Sequence, residues 1–460
     1  MLQDLLSAHK GAFKGHTELR AQVNVGQRVS MVAGNMMGNS RSAEAGVSAR
    51  VYRGGTYGFA SSARYSDEGV RNVLAAAAEN AAFMDSRRGK GMPPLPSVPA
   101  GRVAPRIAPR APVPQELLAD FARALDEIVA KRYGNLSSRA VSISCLDIEK
   151  LLAVSDGTDA HSFQPRATVY VTMTADTPDG DPVELFKSFG GLGSFDTLFS
   201  DPSLLLPELD ALHKMLMDKR AGMFPEAGIR TCVLHQDITG MLAHEAVGHT
   251  VEADFVLAGS VAAHNLGRRV ASDLVSMTDF AHTAFGEPCP LPVYVDDEGV
   301  PAEDAVLIEN GILRGYMHSR ESASHFGVRP QGNARAFEFS DDPLIRMRNT
   351  AILPGKDRLE DMIAGVDDGF FLLKTGNGQA DANGEFMFSI EMGYEIKGGK
   401  IGRAIRETTI SGVAFDMLKT VDMVSGDVSW DANGMCGKGQ AMTTADGGPA
   451  LRCKLNVGGR

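Results

Sequence analysis

The sequence predicts an α+β protein: an N-terminal α+β unit over residues 1–222, then a strand-rich C-terminal unit over 223–460. Three observations predict it. Segments of helical period and segments of two-residue alternation both occur in the first half. Beyond about Val256 the chain is rich in short strands and glycines. At 460 residues it also exceeds what one hydrophobic core usually organises.

In chain order, MLQDLLSAHKGAFKGHTELR mixes apolar and charged residues and predicts an amphipathic helix, not a signal peptide. AGVSARVYR and TYGFASSA predict two strands joined at Gly54-Gly55, and Ser66 offers an N-cap to a helix through VRNVLAAAAENAAFM. Residues 89–115 hold eight of the 22 prolines. Proline lacks the N–H that helices and central strands need, so this stretch predicts an extended surface connector inside the N-terminal unit.

After it, QELLADFARALDEIVAKRY places Leu117, Leu118, Phe121, Leu125, Ile128 and Val129 at helical period. RAVSISCLDI, LLAVSD, RATVYVTMTAD and VELFKSFG predict an antiparallel meander, and LLLPELDALHKMLMDKRA a helix ending near Gly222. GIRTCVLHQ predicts the strand that opens the second unit. LPVYVDDEG, AVLIENGILRGYM, FMFSIEMGYEIKGGKIG and LRCKLNVGG predict further strands, with a hairpin turning at Gly398-Gly399.

Composition narrows the function. A net charge of −11 and a pI near 5.5 argue against a nucleic-acid partner held by electrostatics. Hydrophobic residues make up 43%, far from a disordered composition, and no apolar run reaches bilayer length. Five cysteines, odd in number and widely spaced, suit a reducing compartment, so the expected location is cytoplasmic, without membrane attachment.

The most informative stretch is ITGMLAHEAVGHTVEADF. Two imidazoles close on one helix can bind zinc, and a carboxylate beside the first can take a proton from an activated water. The zincin pattern spaces its histidines four apart, whereas His244 and His249 are five apart. On a regular α-helix that spacing turns them about 140° from one another. A shared ion therefore predicts a π-type turn within Leu242–Thr250, with Gly248, a poor helix former, in or beside it. Glu245 is the candidate general base. Glu252 is a further candidate ligand or, better, an orienting partner.

The words LAHEAVGHTVEADF, GRRVASDLVSMTDFA, YVDDEGVP, VLIENGILRGYMHSRESA, PQGNARA, MRNTAILPG and GMCGKGQAM, in that order, resemble the TldD/PmbA family of zinc peptidases, once described as modulators of DNA gyrase. The resemblance spans residues 226–460 and continues more weakly through GVSARVYRGGTYGFASS and SDEGVRNVLAAAAENA. It implies Zn²⁺ held by His244, His249 and Cys436. His₂Cys leaves a fourth position open, as catalysis requires. The intact HExxxH motif resembles the TldD branch, since the PmbA branch lacks it. The late segment is one residue shorter than the family's C-G-K-x-G-Q.

Two other residues are candidates for substrate contact: His318 as a donor to a developing oxyanion and Asn333 as a contact to the substrate backbone. Cys145, Cys289 and Cys453 read as structural, and Cys232 and His235 do not share a metal. Asp296 and Asp297, on an expected strand, face opposite ways and do not form a cation site.

The expected function is a zinc peptidase hydrolysing small or unfolded peptides, with leader removal from a modified peptide within its scope. The alternative is a non-catalytic peptide-binding subunit with a structural zinc. Glu245 and the three-ligand set favour the enzyme, because structural zinc takes four protein ligands. The resemblance further implies a dimer, with itself or with a PmbA-like homologue. Direct DNA binding is disfavoured by the acidic charge.

Overall fold

The computed structural model describes residues 2–87 and 94–458. The first residues of the proline-rich connector, 89–93, lie outside them.

One seven-stranded sheet is built from residues 16–192. Its order is Thr56–Ser62, Asn35–Arg53, His16–Val32, Ser138–Val154 and Asp159–Asp176. Pro182–Leu192 and the short parallel strand Arg102–Val103 both pair with the last of these. The expected hairpin at Gly54-Gly55 is present, and Ser66 caps the helix Asp67–Asp85 by accepting from the Gly69 N–H. That helix sets Val70, Val73, Ala77 and Ala81 against Leu19, Val47 and Ala49 of the sheet. The helix Gln115–Arg132 buries Leu118, Phe121, Leu125 and Val129 with the inward side chains of the helix Leu206–Arg220.

Three sequence expectations differ from the structure. The N-terminal helix covers only Leu2–Ser7 with one further turn at Lys10–Ala12, and from His16 the chain is strand. Gly15, at φ +67°, breaks the helix, and Leu19, Ala21 and Val29 then alternate inward. RAVSISCLDI and LLAVSD form one continuous strand, Ser138–Val154. LPVYVDDEG is not a strand but a loop stitched by side chains. Asp296 accepts from the N–H groups of Glu298, Val300 and Ala334, which removes it from any ladder.

The later described residues form two large sheets and three two-stranded ones. Gly228–Leu234, Asp368–Ala380, Glu385–Lys397, Thr408–Val413 and Leu451–Val457 pair in a closed ring, which leaves none of these five strands as an open edge along its whole length. The hairpin at Gly398-Gly399 belongs to it, with both glycines at positive φ as a primed turn requires. A six-stranded sheet runs in the order Ile312–Leu313, Ala305–Glu309, Met277–Phe280, Asn349–Ile352, Ala445–Gly448 and Ser429–Asp431. The helix that begins at Gln236 lies between ring and sheet, and Ile238, Leu242, Ala243, Ala246 and Val247 are all fully buried in the shared core. This burial anchors the motif.

Among the described residues, no helix is long and apolar enough to cross a membrane.

Candidate metal centre

The helix starts regularly, with His235 as N-cap, over Gln236–Met241. From Leu242 to Gly248 it widens into a π-helix, and the His249 N–H donates to the His244 carbonyl, five residues back. A three-residue 3₁₀ turn, His249–Val251, follows. The widening is what the five-residue spacing demands, because it brings both imidazoles onto one face. Their ring centroids are 5.1 Å apart and their planes perpendicular. Gly248 lies in the widened segment for a packing reason the sequence did not reveal: a Cβ there would overlap the Met347 sulfur.

Cys436 comes from the small hairpin Met435–Gly437/Ala441–Thr443, which pairs with no larger sheet among the described residues. Its Sγ lies 3.3 Å from His249 Nε2. The ligand atoms of His244, His249 and Cys436 all lie within 4.8 Å of one another. In a tetrahedral zinc site, bond lengths of about 2.0–2.1 Å to nitrogen and 2.3 Å to sulfur put those two atoms roughly 3.6 Å apart. The donor set therefore fits zinc in type and spacing. His244 Nδ1 is buried without a hydrogen-bond partner, 3.9 Å from Asp446 Oδ1.

Electrostatics separate the two histidines. Burial, reinforced by His249 and Arg346, pushes His244 well below its ordinary pKa and keeps it a neutral imidazole, as a ligand must be. Burial opposes charge on His249 as well, but Cys436 and Glu252 outweigh it and raise its pKa to about 10. A cation held by His249 and Cys436 would take the place of that proton.

Glu245 stands apart from the cluster. Its carboxylate oxygens lie 3.9 Å from His244 Nε2 and 3.8 Å from His249 Nε2, too far for a direct hydrogen bond. Its side chain is 26% exposed, whereas that of His244 is 5% exposed, so the carboxylate faces the open side. Burial raises its pKa.

A supporting shell surrounds the cluster. Glu252, fully buried, accepts from His249 Nδ1 at 3.0 Å, which fixes the tautomer that presents Nε2 to Cys436. Lys438 Nζ sits 3.0 Å from the same Glu252 oxygen and 2.6 Å from Asp254, and donates to the Ile345 carbonyl. Arg346 donates to the carbonyls of Cys436 and Gln440 and holds the hairpin from the other side. The sequence reading named Glu252 but missed Lys438, Arg346 and Asp446. Lys438 could have been noticed from its place two residues after Cys436, and Arg346 from a charge repeated around Met347 in a short apolar run. Asp446 carries no sequence signal.

The remaining candidates lie elsewhere. His318 is 3% exposed, bonded to Ser322 Oγ and packed against Phe326. Asn333 is fully buried and donates to Asp279 and to the Arg346 carbonyl. Neither hydrogen-bonds to the cluster. Cys232 and Cys453 face one another across neighbouring strands of the ring, both buried.

Three stretches match successive domains described as PmbA/TldA metallopeptidase: domain 1 over residues 17–81, the central domain over 108–222 and the C-terminal domain over 228–459. The chain is 34% identical over 341 residues to a metalloprotease of Methanocaldococcus jannaschii, covering 72% of this chain and 73% of that one. It is 36% identical over 251 residues to a zinc metalloprotease TldD homolog of Saccharolobus solfataricus, an alignment covering 54% of this chain and only 56% of that protein. The crystal structure of TldE from Thermococcus kodakarensis shares the fold over 100% of both chains, with a TM-score of 0.76 at 17% identity.

Proposed function

Because the chain belongs to the TldD/PmbA family of metallopeptidases, we propose that it is a zinc-dependent peptidase acting on small or unfolded peptides, leader removal from a modified peptide included. The observation that carries this reading is the carboxylate of Glu245, 3.9 and 3.8 Å from the two imidazoles on the open side of the cluster. A purely structural zinc has no need of such a group and takes four protein ligands.

In this reading His244, His249 and Cys436 hold Zn²⁺. When bound, the ion supplies a Lewis acid that polarises the scissile carbonyl and brings the pKa of a water to about 7. Glu245 accepts the proton of the attacking water on its carboxylate and delivers it to the leaving amine nitrogen. A raised pKa suits a group that must both take and give up a proton. Glu252 orients His249, while Lys438 and Arg346 hold the hairpin that brings Cys436 to the site.

The proposed assembly is a dimer, with itself or with a PmbA-like homologue, as membership of the family suggests. No direct nucleic-acid contact is proposed, given the net charge of −11. Cleavage of an unstructured peptide, lost in Glu245→Gln at unchanged zinc content, tests the reading.

A further inference from the structure

We propose that a cavity remote in sequence from the metal motif, between the strands Ser138–Val154 and Asp159–Asp176 and the loop 288–297, binds a small carboxylic acid with an apolar body. Its volume is about 230 Å³, and Ile107, Ile148, Leu152, Phe163 and Tyr294 supply apolar walls. Pockets for drug-sized ligands run to roughly 300–1,000 Å³, so this one suits a single ring or a short branched chain.

The charge comes from Arg335, which lines the same cavity. It is 6% exposed, and its one side-chain hydrogen bond among the described residues runs from Nη1 to the Met347 carbonyl, 2.7 Å away. Its neighbours add to the positive charge: Arg346 and Arg348 beside it, and Lys150 with Arg20 across Asp297. The carboxylates between them are already engaged. Asp279 is taken by Arg348 at 2.8 Å, and Asp297 by Lys150 at 2.8 Å and Arg20 at 3.5 Å. Asp296 spends its oxygens on three backbone N–H groups, and burial keeps its carboxyl well above the usual acidity range.

A buried guanidinium without a carboxylate partner is costly. An anion in the cavity would offset that cost. The free side of Arg335 offers a planar fork that matches the two oxygens of a carboxylate. Lys150 has its three donors directed at Asp297 and the Ala336 carbonyl, so it offers nothing to the further oxygens of a phosphate. The apolar walls take the rest of the molecule. This inference does not depend on the peptidase reading.

Calorimetric titration of the full chain with 3-phenylpropionate tests it, with 3-phenylpropanamide and phenyl phosphate as controls. The acid should bind, with the neutral amide at least about tenfold weaker, since a charge-assisted fork is lost. Arg335→Met should abolish binding. So should Ser162→Phe, which adds bulk to the cavity from an exposed lining position and so stands in should Arg335→Met not fold. Binding should persist in His249→Ala, which separates this site from the metal centre. No binding of the acid at millimolar concentration, equal affinity for acid and amide, or unaltered binding in Ser162→Phe would overturn the proposal. Tighter binding of phenyl phosphate, or loss of binding in His249→Ala, would do the same.

Discussion

The sulfur of Cys436 stands 3.3 Å from Nε2 of His249, although 187 residues separate them. A thiol and an imidazole brought that close, with His244 within 4.8 Å, form a three-donor set that suits an open zinc site. Purified protein should carry about one zinc per chain. Elemental analysis should find Cys436→Ala and His249→Ala strongly depleted, and full retention by Cys436→Ala would remove the thiol from the ligand set.

Gly248 offers a second test. Alanine is the better helix former by about 1 kcal/mol, so propensity alone predicts a more stable helix. The Met347 sulfur occupies the space a Cβ would need. Gly248→Ala should therefore shift the π-turn and weaken zinc binding in a chelator competition. An affinity equal to wild type would show that the widened turn tolerates the extra carbon.

Lys438 and Glu252 close a ring of contacts from Cys436 through His249 and back to the hairpin. Lys438→Met leaves Glu252 buried beside His249 with its cation removed and frees the hairpin from Asp254. Zinc affinity should fall about 10- to 100-fold, as for other partners that orient a ligand. In the cobalt-substituted protein the thiolate-to-metal charge-transfer absorption should weaken, and Lys438→Arg should restore part of it. An unaltered spectrum in Lys438→Met would deny the lysine this role.

Acid should weaken the fold through His318, whose pKa burial lowers from 6.5 to about 4. Between those values the unfolded chain binds a proton that the folded chain does not, so stability is complete above about pH 6.5 and falls as pH drops towards 4. Urea midpoints measured across this window should fall less steeply for His318→Gln than for wild type. Parallel curves would show that His318 does not titrate as its surroundings dictate.

Assembly is testable by light scattering. A dimer is expected at micromolar concentration, alone or with a PmbA-like homologue. A monomer with intact peptidase activity would refute it.

The spacing of His244 and His249 was enough to read the π-turn from sequence, because an angle of about 140° leaves no regular-helix alternative. Cys436 was legible only through resemblance, since nothing local to GMCGKG says where its hairpin packs. Asp296 and Asp297 were misread because alternation was assumed where the carboxylates instead bind backbone N–H groups and Lys150. The N-terminal strand was missed because TELRAQVNVGQRVSMV carries helix-forming Glu, Leu, Arg and Gln, and its partners, Asn35–Arg53 and Ser138–Val154, decide its state from afar. Such pairings are tertiary facts.

The peptidase claim rests most directly on Glu245. Wild type and Glu245→Gln, each with measured zinc content, should be incubated with an unstructured peptide, with and without a PmbA-like homologue, and the products identified by mass spectrometry. Cleavage by wild type, loss of cleavage in Glu245→Gln, and equal zinc in both are predicted, because the three-donor set of His244, His249 and Cys436 does not include the carboxylate. Cleavage by Glu245→Gln at the wild-type rate, or zinc lost together with the carboxylate, would contradict the claim.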